Sequence, residues 1–343
     1  MKTLKLLLLG FGNAAQAFAD LLIDKETEIA DQFGYEVSVV GIVTKSRGCL
    51  VNQQGIDLEK ALADIRTKGK FDNGQKGFTQ ITSMEAAKGL EYDVLVELTP
   101  LDIFTGQPAI DHIKTAFSRG KHVITANKGP VAWAFRELKG MAQEQGSLFF
   151  YETTVMDGTP VFNLVRETLK LCRVTEVEGI LNSTTNFILE ELAKGKEYDS
   201  VIAEGKRRGF IEADPSMDID GWDAAAKVAA LLNVLMDAGI TPGEIDRTGI
   251  GGITKEQICE ARARNNVIKL ICRGTIENGK VVGSVKPVEV PITSLPATID
   301  GTSSYVSITT DLMGKVSIVE HAPEIEQTGY GILIDLINLI DCL

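Results

Sequence analysis

The sequence predicts an α/β protein, with a parallel, doubly wound sheet in its N-terminal part and a second, α+β domain with a mixed sheet. Three observations support this prediction. The 343 residues are enough for two domains. In the first 150 residues, short apolar runs alternate with amphipathic stretches, which is typical of a parallel sheet. After Thr153, runs with helical spacing are followed by several strand-like runs, which predicts a different layer arrangement.

Each element of the first domain follows from an apolar run or from helical spacing. We place this domain at residues 1–150, and we expect the apolar helix within 320–343 to return to it. The predicted strands are Lys5–Leu9, Val37–Val43, Val94–Leu98, His122–Ala126 and Leu148–Tyr151, and the predicted helices include Ala14–Leu22 and Pro108–Arg119.

The second domain is placed at residues 151–319 on the same grounds. A polar, acidic stretch at Glu212–Asp220 is predicted to be a loop, because it lacks any apolar period. The predicted helices are Pro160–Leu171, Thr184–Lys194 and Trp222–Met236, and the predicted strands are Arg173–Leu181, Val267–Ile276, Lys280–Val290 and Ser304–Thr310.

Composition and charge exclude several classes of protein. A net charge of −12 argues against a nucleic-acid partner, which requires a clustered basic surface. The apolar run Leu6–Leu9 is too short to span a bilayer. Gly10 and Asn13 end the apolar stretch, which argues against a signal peptide. The five cysteines are scattered without a CxxC pair, so we expect reduced thiols in a cytoplasmic protein that has no membrane partner.

A glycine-rich turn follows the first predicted strand and opens a helix. Its sequence is Gly10-Phe11-Gly12-Asn13-Ala14-Ala15, a GxGxxA pattern. Gly10 permits a tight turn, Gly12 lets the backbone approach a pyrophosphate, and the helix N-terminus presents N–H groups to the anion. A plain tight turn between strand and helix is the alternative, and the motif alone is weak evidence. Its position between a strand and a helix favours a Rossmann domain, whose cofactor contacts we predict to include Gly10, Phe11, Gly12, Asn13 and Ala14.

The end of the second strand bears on the choice of cofactor. NAD sites usually carry an acidic residue there, which binds the ribose 2′-hydroxyl. This strand instead continues Thr44-Lys45-Ser46-Arg47. Lys45 and Arg47 are suited to a 2′-phosphate, which favours NADP. Both are also compatible with ordinary surface charges, so NAD stays open.

At Thr125-Ala126-Asn127-Lys128 the sequence begins to resemble the homoserine dehydrogenase family. The resemblance is carried by segments that follow one another in family order over nearly the whole chain. They are Val96–Pro100, Gly120–Pro130, Gly179–Asn186, Gly209–Pro215, Asp218–Lys227 and Ile268–Ile271.

The resemblance implies an oxidoreductase that interconverts L-homoserine and L-aspartate 4-semialdehyde with NAD(P). It also implies roles for individual residues. Glu212 and Asp223 would hold the substrate amino group with Asp218 nearby, and Thr184 would contact the substrate. Thr99 and Pro100 would line the nicotinamide end of the cofactor site, and Lys128 would lie close to both nicotinamide and substrate. The second domain would be catalytic and would form a homodimer.

Asp223 and Lys227 are four positions apart, so a helix places them on one face. A structural ion pair is the simpler interpretation of this spacing. The acidic stretch before them, however, suits the binding of an ammonium group, and a buried lysine can accept the proton of an alcohol. We therefore predict Lys227 as the proton carrier. Burial would lower its pKa and carboxylates would raise it, so the sequence leaves its protonation state open.

Two segments depart from the family pattern. Within residues 152–160, Met156 and Asp157 replace small residues in a loop that holds a monovalent cation in the family. The resemblance places that cation on Glu152, Val155, Asp157 and Thr159. A glycine-rich segment is likewise replaced at residues 321–328, and Ser183 stands where glycine is usual. We also expect neither a C-terminal regulatory module nor an aspartate kinase segment.

These departures leave two alternative functions open. The first is a dehydrogenase of another small amino or hydroxy acid on the same scaffold. The second is a dinucleotide-binding sensor without catalysis, which the retention of Lys128, Glu212, Asp223 and Lys227 makes the weaker alternative.

Overall fold

The computed structural model describes residues 1–209, 211 and 214–343. The chain divides into two compact units. The first consists of Met1–Pro160 and Glu324–Leu343, and the second of Val161–Pro323. In the described part of the chain, no helix combines the length and the apolar character that crossing a membrane requires.

The first unit is built on a sheet that joins, within the described residues, seven strands in the order β4-β3-β2-β1-β5-β6-β7. Strands β2, β1, β5, β6 and β7 are parallel, while β3 and β4 add an antiparallel edge. The strands are β1 (Lys2–Leu9), β2 (Tyr35–Val43), β3 (Cys49–Val51), β4 (Phe78–Thr79), β5 (Val94–Glu97), β6 (His122–Thr125) and β7 (Phe149–Phe150).

Helices cover both faces of this sheet, which explains why β1 is apolar at every position from Leu6 to Leu9 and fully buried there. The helices are α1 (Asn13–Asp24), α2 (Glu26–Phe33), α3 (Leu58–Lys68), α4 (Ser83–Gly89), α5 (Ala109–Ser118), α6 (Lys128–Gln145) and α14 (Ile325–Asp341).

The C-terminal helix α14 belongs to this unit. Its apolar residues Ile332, Leu336 and Leu339 are fully buried in one cluster with Phe18 of α1. Gly329 lets the two helices approach closely, because a Cβ at this position would lie 2.8 Å from Ala17. The apolar period near the C-terminus is therefore accounted for by packing against α1.

Strand β1 lies between β2, which follows it in the chain, and the more distant β5. The order of the strands reverses here, and the helices that follow β1 and β5 pack in separate core clusters, with Phe18 of α1 in one and Phe117 of α5 in the other. Such a switch point opens a crevice at the carboxyl ends of the strands, where ligands bind in α/β sheets.

The second unit contains a mixed sheet in the order β13-β12-β8-β10-β11-β9, counted over its described residues. Strands β10 and β11 form a long hairpin through Asn278 and Gly279, whose φ angles of 49° and 76° suit the tight turn that matches strand twist. The strands are β8 (Val174–Ile180), β9 (Asp246–Arg247), β10 (Asn266–Glu277), β11 (Lys280–Pro291), β12 (Ser304–Thr310) and β13 (Gly314–Glu320).

The helix α11 is almost entirely apolar, and it is accordingly buried against this sheet over most of its length. The predicted acidic loop at Glu212–Asp220 is partly wrong, because a short helix forms at Ser216–Ile219. The helices are α7 (Val161–Thr168), α8 (Ser183–Ala193), α9 (Tyr198–Arg208), α10 (Ser216–Ile219), α11 (Trp222–Met236), α12 (Lys255–Ala263) and α13 (Leu295–Thr298).

Candidate active site

The glycine-rich turn lies at the carboxyl end of β1, as predicted. Gly10 has a φ of +104°, and a Cβ added there would lie 2.3 Å from the carbonyl oxygen of Leu98. A Cβ added to Gly12 would instead meet no atom of the described residues within 4 Å. Gly10 is therefore required by the fold itself, whereas Gly12 borders open space suited to a ligand that approaches the backbone.

Helix α1 begins at Asn13, directly after this turn. Gly12 is its N-cap and has no side chain to occupy the first N–H groups. Ala15 is buried, while Phe11 is buried beside Phe71, with ring centroids 5.7 Å apart. The uncapped helix start and the open space at Gly12 together fit the pyrophosphate of a dinucleotide.

Arg47 belongs to the loop after β2 and reaches the glycine-rich turn. Its Nη1 donates to the carbonyl oxygen of Phe11 at 3.0 Å. The loop is held by Thr44, whose hydroxyl accepts the N–H of Arg47 at 2.9 Å and donates to the Gly48 carbonyl at 2.7 Å. Lys45 is exposed on the same loop. A guanidinium is thus fixed beside the turn, and no carboxylate occurs between residues 44 and 48.

The loop after β5 is organised by a buried carboxylate. Glu97 is fully buried, and its Oε1 accepts the N–H of Thr99 at 2.9 Å and also the Thr99 hydroxyl. Its Oε2 lies 2.8 Å from Nδ1 of the equally buried His112. Thr99 is half-buried and Pro100 is exposed. Glu97 and His112 therefore fix the conformation of the loop that was predicted to line the nicotinamide.

Asn127 connects this loop with the start of α6. Its Nδ2 donates to the carbonyl oxygen of Thr99 at 3.0 Å, and its Oδ1 caps α6 by accepting the N–H of Gly129 at 2.9 Å. Lys128 is the first residue of α6 and is half-buried. Two predicted site residues, Thr99 and Lys128, are thus joined through one asparagine at the carboxyl end of the sheet.

The residues predicted to hold a cation lie between β7 and the end of the first unit. Glu152 is almost fully buried in a 3-10 helix, and its N–H donates to the carboxylate of Asp335 in α14 at 2.8 Å. Val155 is fully buried, and Thr159 donates its N–H to the carbonyl of Met156 at 2.8 Å. No group of three or more His, Cys, Asp or Glu side chains suited to a metal ion occurs among the described residues.

The two segments that depart from the family pattern contact each other. The carboxylate of Asp157 accepts the hydroxyl of Thr328 at 2.8 Å. Met156 and Asp157 have φ angles of 57° and 49°, a left-handed conformation that glycine adopts freely and that aspartate tolerates better than most residues. Glu152 and the backbone carbonyls of this segment are oxygen donors, the kind of ligand that a hard alkali cation prefers.

In the second unit, three residues predicted for the substrate site lie together, namely Asp218, Asp223 and Lys227. Nζ of Lys227 lies 3.1 Å from Oδ2 of Asp223, one turn earlier on α11, and donates to the carbonyl oxygen of Leu181 at 2.7 Å. Both charged side chains are mostly buried, with 19% and 17% of their surface exposed. The pair is therefore an ion pair, and it also lies within a polar cluster formed by other elements.

Asn182 links this pair to Asp218. Its Nδ2 donates to Oδ1 of Asp218 at 2.6 Å and to Oδ2 of Asp223 at 3.0 Å. Burial, and next the negative charge of Asp223, raise the pKa of Asp218 above its ordinary value of 3.8. Asn182, Lys227 and the hydroxyl of Thr184 act in the opposite direction. Glu212, the remaining predicted substrate ligand, lies outside the described residues.

The chain matches one family of known proteins over both of its units. Residues 160–337 match the family described as homoserine dehydrogenase, and residues 10–152 match the homoserine dehydrogenase NAD-binding domain. The chain belongs to the homoserine dehydrogenase family. It is an NAD(P)-dependent oxidoreductase, so the principal functional prediction from the sequence is confirmed.

Two curated homoserine dehydrogenases and one solved structure illustrate the relationship. The chain is 36% identical to homoserine dehydrogenase of Methanocaldococcus jannaschii, over 97% of this chain and 98% of the relative. It is 32% identical to an NAD(+)-dependent homoserine dehydrogenase of Pseudomonas canavaninivorans, over 99% and 97% of the two chains. A hyperthermophilic archaeal homoserine dehydrogenase in complex with NADPH superposes with a TM-score of 0.85 at 29% identity, covering 99% and 98%.

Reasoning from the sequence missed three residues that organise the predicted site. Asn182 precedes a helix as an N-cap asparagine, which was a recognisable signal for its position but not for its contacts with two carboxylates. Glu97 ends an apolar strand, where a charged residue should have indicated a buried partner. His112 lies on the buried face of α5, and no pattern connected it with Glu97.

Proposed function

We propose that the polar cluster of the second unit binds L-homoserine and that Lys227 carries the proton released from the substrate hydroxyl. The observation that supports this most strongly is the convergence of Lys227, Asp223 and Asp218 through Asn182. Two carboxylates and one lysine give the described cluster an excess of negative charge, which suits the substrate ammonium group. Glu212 would add a third carboxylate.

Oxidation of the alcohol removes a proton from oxygen and a hydride from carbon. NAD(P)⁺ accepts the hydride when it is bound. The chain provides the proton path. Lys227 is an ammonium group in its ion pair with Asp223, so it would first release a proton to water and could then accept the proton of the substrate hydroxyl. Its contacts with Asp223 and the Leu181 carbonyl hold the amine in one position. Thr184, which is buried at the start of α8, would contact the substrate.

We propose that the dinucleotide lies along residues 10–14, with its nicotinamide end near Thr99, Pro100 and Lys128. The open space at Gly12 and the uncapped start of α1 support the first part. The hydrogen bonds that hold Thr99 to Glu97 and Asn127 support the second, because a fixed loop can define the position of the nicotinamide.

NADP is the cofactor that we propose as preferred. The guanidinium of Arg47 lies against the glycine-rich turn and Lys45 is exposed beside it, which favours a 2′-phosphate. Relatives include both an NAD(+)-dependent enzyme and an enzyme in complex with NADPH, so both cofactors occur among similar proteins.

Two further proposals rest on the family resemblance, and a third, the location of the enzyme, rests on its scattered cysteines. Glu152, with the backbone at Val155, Asp157 and Thr159, would hold a monovalent cation. The second unit would form a homodimer. The enzyme would act in the cytoplasm.

Steady-state oxidation at alkaline pH tests the proposed function, with NADP and NAD assayed separately. We expect L-homoserine to be oxidised with a higher kcat/KM for NADP. We expect 4-hydroxybutanoate, which lacks the ammonium group, to react about 100-fold less efficiently or worse. In Asp223→Asn this discrimination should largely disappear. Equal kcat/KM values for the two substrates in the unaltered enzyme would contradict the proposed ammonium site.

A further inference from the structure

Asn182 occupies the junction between β8 and α8 and is buried. It is the N-cap of α8, with its Oδ1 accepting the N–H of Thr185 at 2.8 Å and the Thr185 hydroxyl at 2.9 Å. This accounts for the oxygen of the amide and for an asparagine at this position.

The amide nitrogen has a second task that a helix cap does not require. Nδ2 donates to Asp218 at 2.6 Å and to Asp223 at 3.0 Å, so both of its hydrogens are directed at carboxylates. The orientation of the amide is unambiguous because the opposite atom accepts a backbone N–H, and an ionised carboxylate can only accept. One side chain therefore holds two carboxylates side by side.

We propose that Asn182 is the positioning residue for the substrate ammonium group, holding Asp218 and Asp223 at the separation at which both can bind one cation. This inference rests on the proposed function, because it requires those carboxylates to be substrate ligands. Asn182 would thus make the enzyme prefer substrates that carry an amino group. It would do so through the two carboxylates, without contacting the reacting atoms itself.

The electrostatics of the cluster explain why such a bridge is needed. Two neighbouring carboxylates repel each other, and one of them tends to become protonated and lose its attraction for an ammonium group. Among the described residues, the groups that act on Asp218 are Asp223, Lys227, Asn182 and Thr184, and the last three favour its ionised form. Removing the amide donors raises the pKa of Asp218 further, so binding weakens first at the acidic end of the pH range.

Two substitutions distinguish the role of Asn182 as the cap of α8 from its role in holding the two carboxylates. Asn182→Ser and Asn182→Asp both keep an oxygen that can cap α8, but both remove the N–H donors. We expect the KM for L-homoserine to rise about tenfold or more in Asn182→Ser, the loss expected for hydrogen bonds to charged groups. Asn182→Asp should raise it further, because an additional carboxylate beside Asp218 and Asp223 adds repulsion. The KM for NADP should stay unchanged, and the acidic limb of kcat/KM should move to higher pH.

Thr254→Ala is the matched control, because Thr254 caps α12 in the same unit through its contact with the Gln257 N–H. It should lower Tm without changing the homoserine KM or the pH profile. Retention of the homoserine KM and of the acidic limb in a folded Asn182→Ser would overturn the inference, and Asn182→Asp gives the same test if the serine variant does not fold.

Asp223→Asn distinguishes failure of the positioning role from failure of the proposed function. If it raises KM while the Asn182 variants do not, only the positioning role fails; if it too has no effect, the proposed function fails.

Discussion

Lys227 and Asp223 form an ion pair across one turn of α11, with Nζ 3.1 Å from Oδ2. The spacing of four residues predicted this contact, but the structure adds that Lys227 also donates to a main-chain carbonyl at the end of β8. The proposed proton carrier and a proposed substrate ligand are therefore fixed to each other. A change in either residue is expected to affect both substrate binding and proton transfer.

Asp218→Asn should stabilise the protein at pH 8 while it impairs binding of L-homoserine. The pKa of Asp218 is raised above 3.8, so the folded protein holds this proton more tightly than the unfolded chain does. Stability is then lost as pH rises above 3.8 and through the raised pKa, because the ionised form is the one that the fold disfavours. The amide avoids this loss, and its Oδ1 can still accept from Asn182. We expect Tm to rise by a few degrees at pH 8 and the gain to vanish near pH 3.

Asp214→Asn is the control for that experiment. Hydrogen bonds from Ser216 lower the pKa of the exposed Asp214, which is a shift of the opposite sign. Thermal unfolding at pH 8 should therefore show no gain for Asp214→Asn. A lower Tm for Asp218→Asn at pH 8 would contradict the explanation.

The two glycines of the turn should respond differently to alanine. Gly10→Ala places a Cβ 2.3 Å from the Leu98 carbonyl and forces a left-handed alanine, so we expect a loss of unfolding free energy of about 2 kcal/mol or more. Gly12→Ala meets no such obstacle, so its Tm should remain close to that of the unaltered protein. Its Kd for NADPH, measured by fluorescence titration, should rise about tenfold or more, because the methyl group occupies the approach to the pyrophosphate. Equal NADPH affinity in Gly12→Ala would place the dinucleotide elsewhere.

Arg47→Ala should change the choice of cofactor more than the overall activity. A lost charge-assisted contact to a 2′-phosphate corresponds to about a tenfold to hundredfold loss of kcat/KM for NADP, while NAD should change little. Lys45→Ala should act in the same direction with a smaller effect, since Lys45 is exposed. Arg66→Ala is a suitable control because Arg66 pairs with Asp20 on the outside of this unit. An unchanged ratio of kcat/KM for NADP and NAD in Arg47→Ala would remove Arg47 from the cofactor site.

The left-handed backbone at Asp157 predicts an order of stability among variants. Asparagine tolerates this conformation and can still accept the Thr328 hydroxyl, so Asp157→Asn should have a Tm close to that of the unaltered protein. Asp157→Val should lose about 2 kcal/mol or more of unfolding free energy, because a β-branched residue is excluded from this region and the hydrogen bond is lost. Chemical denaturation measures both changes. Similar stabilities for the valine and asparagine variants would mean that the loop relaxes to another conformation.

Much of the fold was predictable because its elements carry strong local patterns. The buried strand β1 is a continuous apolar run, and the turn after it needs glycine at a position where a side chain would collide with Leu98. Helix α11 is apolar around most of its circumference, and the return of α14 was indicated by its apolar period. The antiparallel edge strands β3 and β4 are only three and two residues long, too short for any period to show.

The candidate site was predictable only in part, because contacts between distant segments leave no local pattern. Spacing on one helix connected Asp223 with Lys227. Nothing in the sequence connected Asn182 with Asp218, or Glu97 with His112, because each pair is brought together by the packing of separate elements. The roles that the resemblance gave to Thr184 and Lys128 remain predictions.

The most direct test of the account is chemical rescue of Lys227→Ala in the oxidation of L-homoserine. Removal of a general base should lower kcat by about 10²- to 10⁴-fold. Added methylamine should restore part of that loss in proportion to the free amine, while the KM for NADP stays unchanged. A kcat within about threefold of the unaltered enzyme, well below the factor expected for a general base, would contradict the role of Lys227. A loss that no amine restores would contradict it as well.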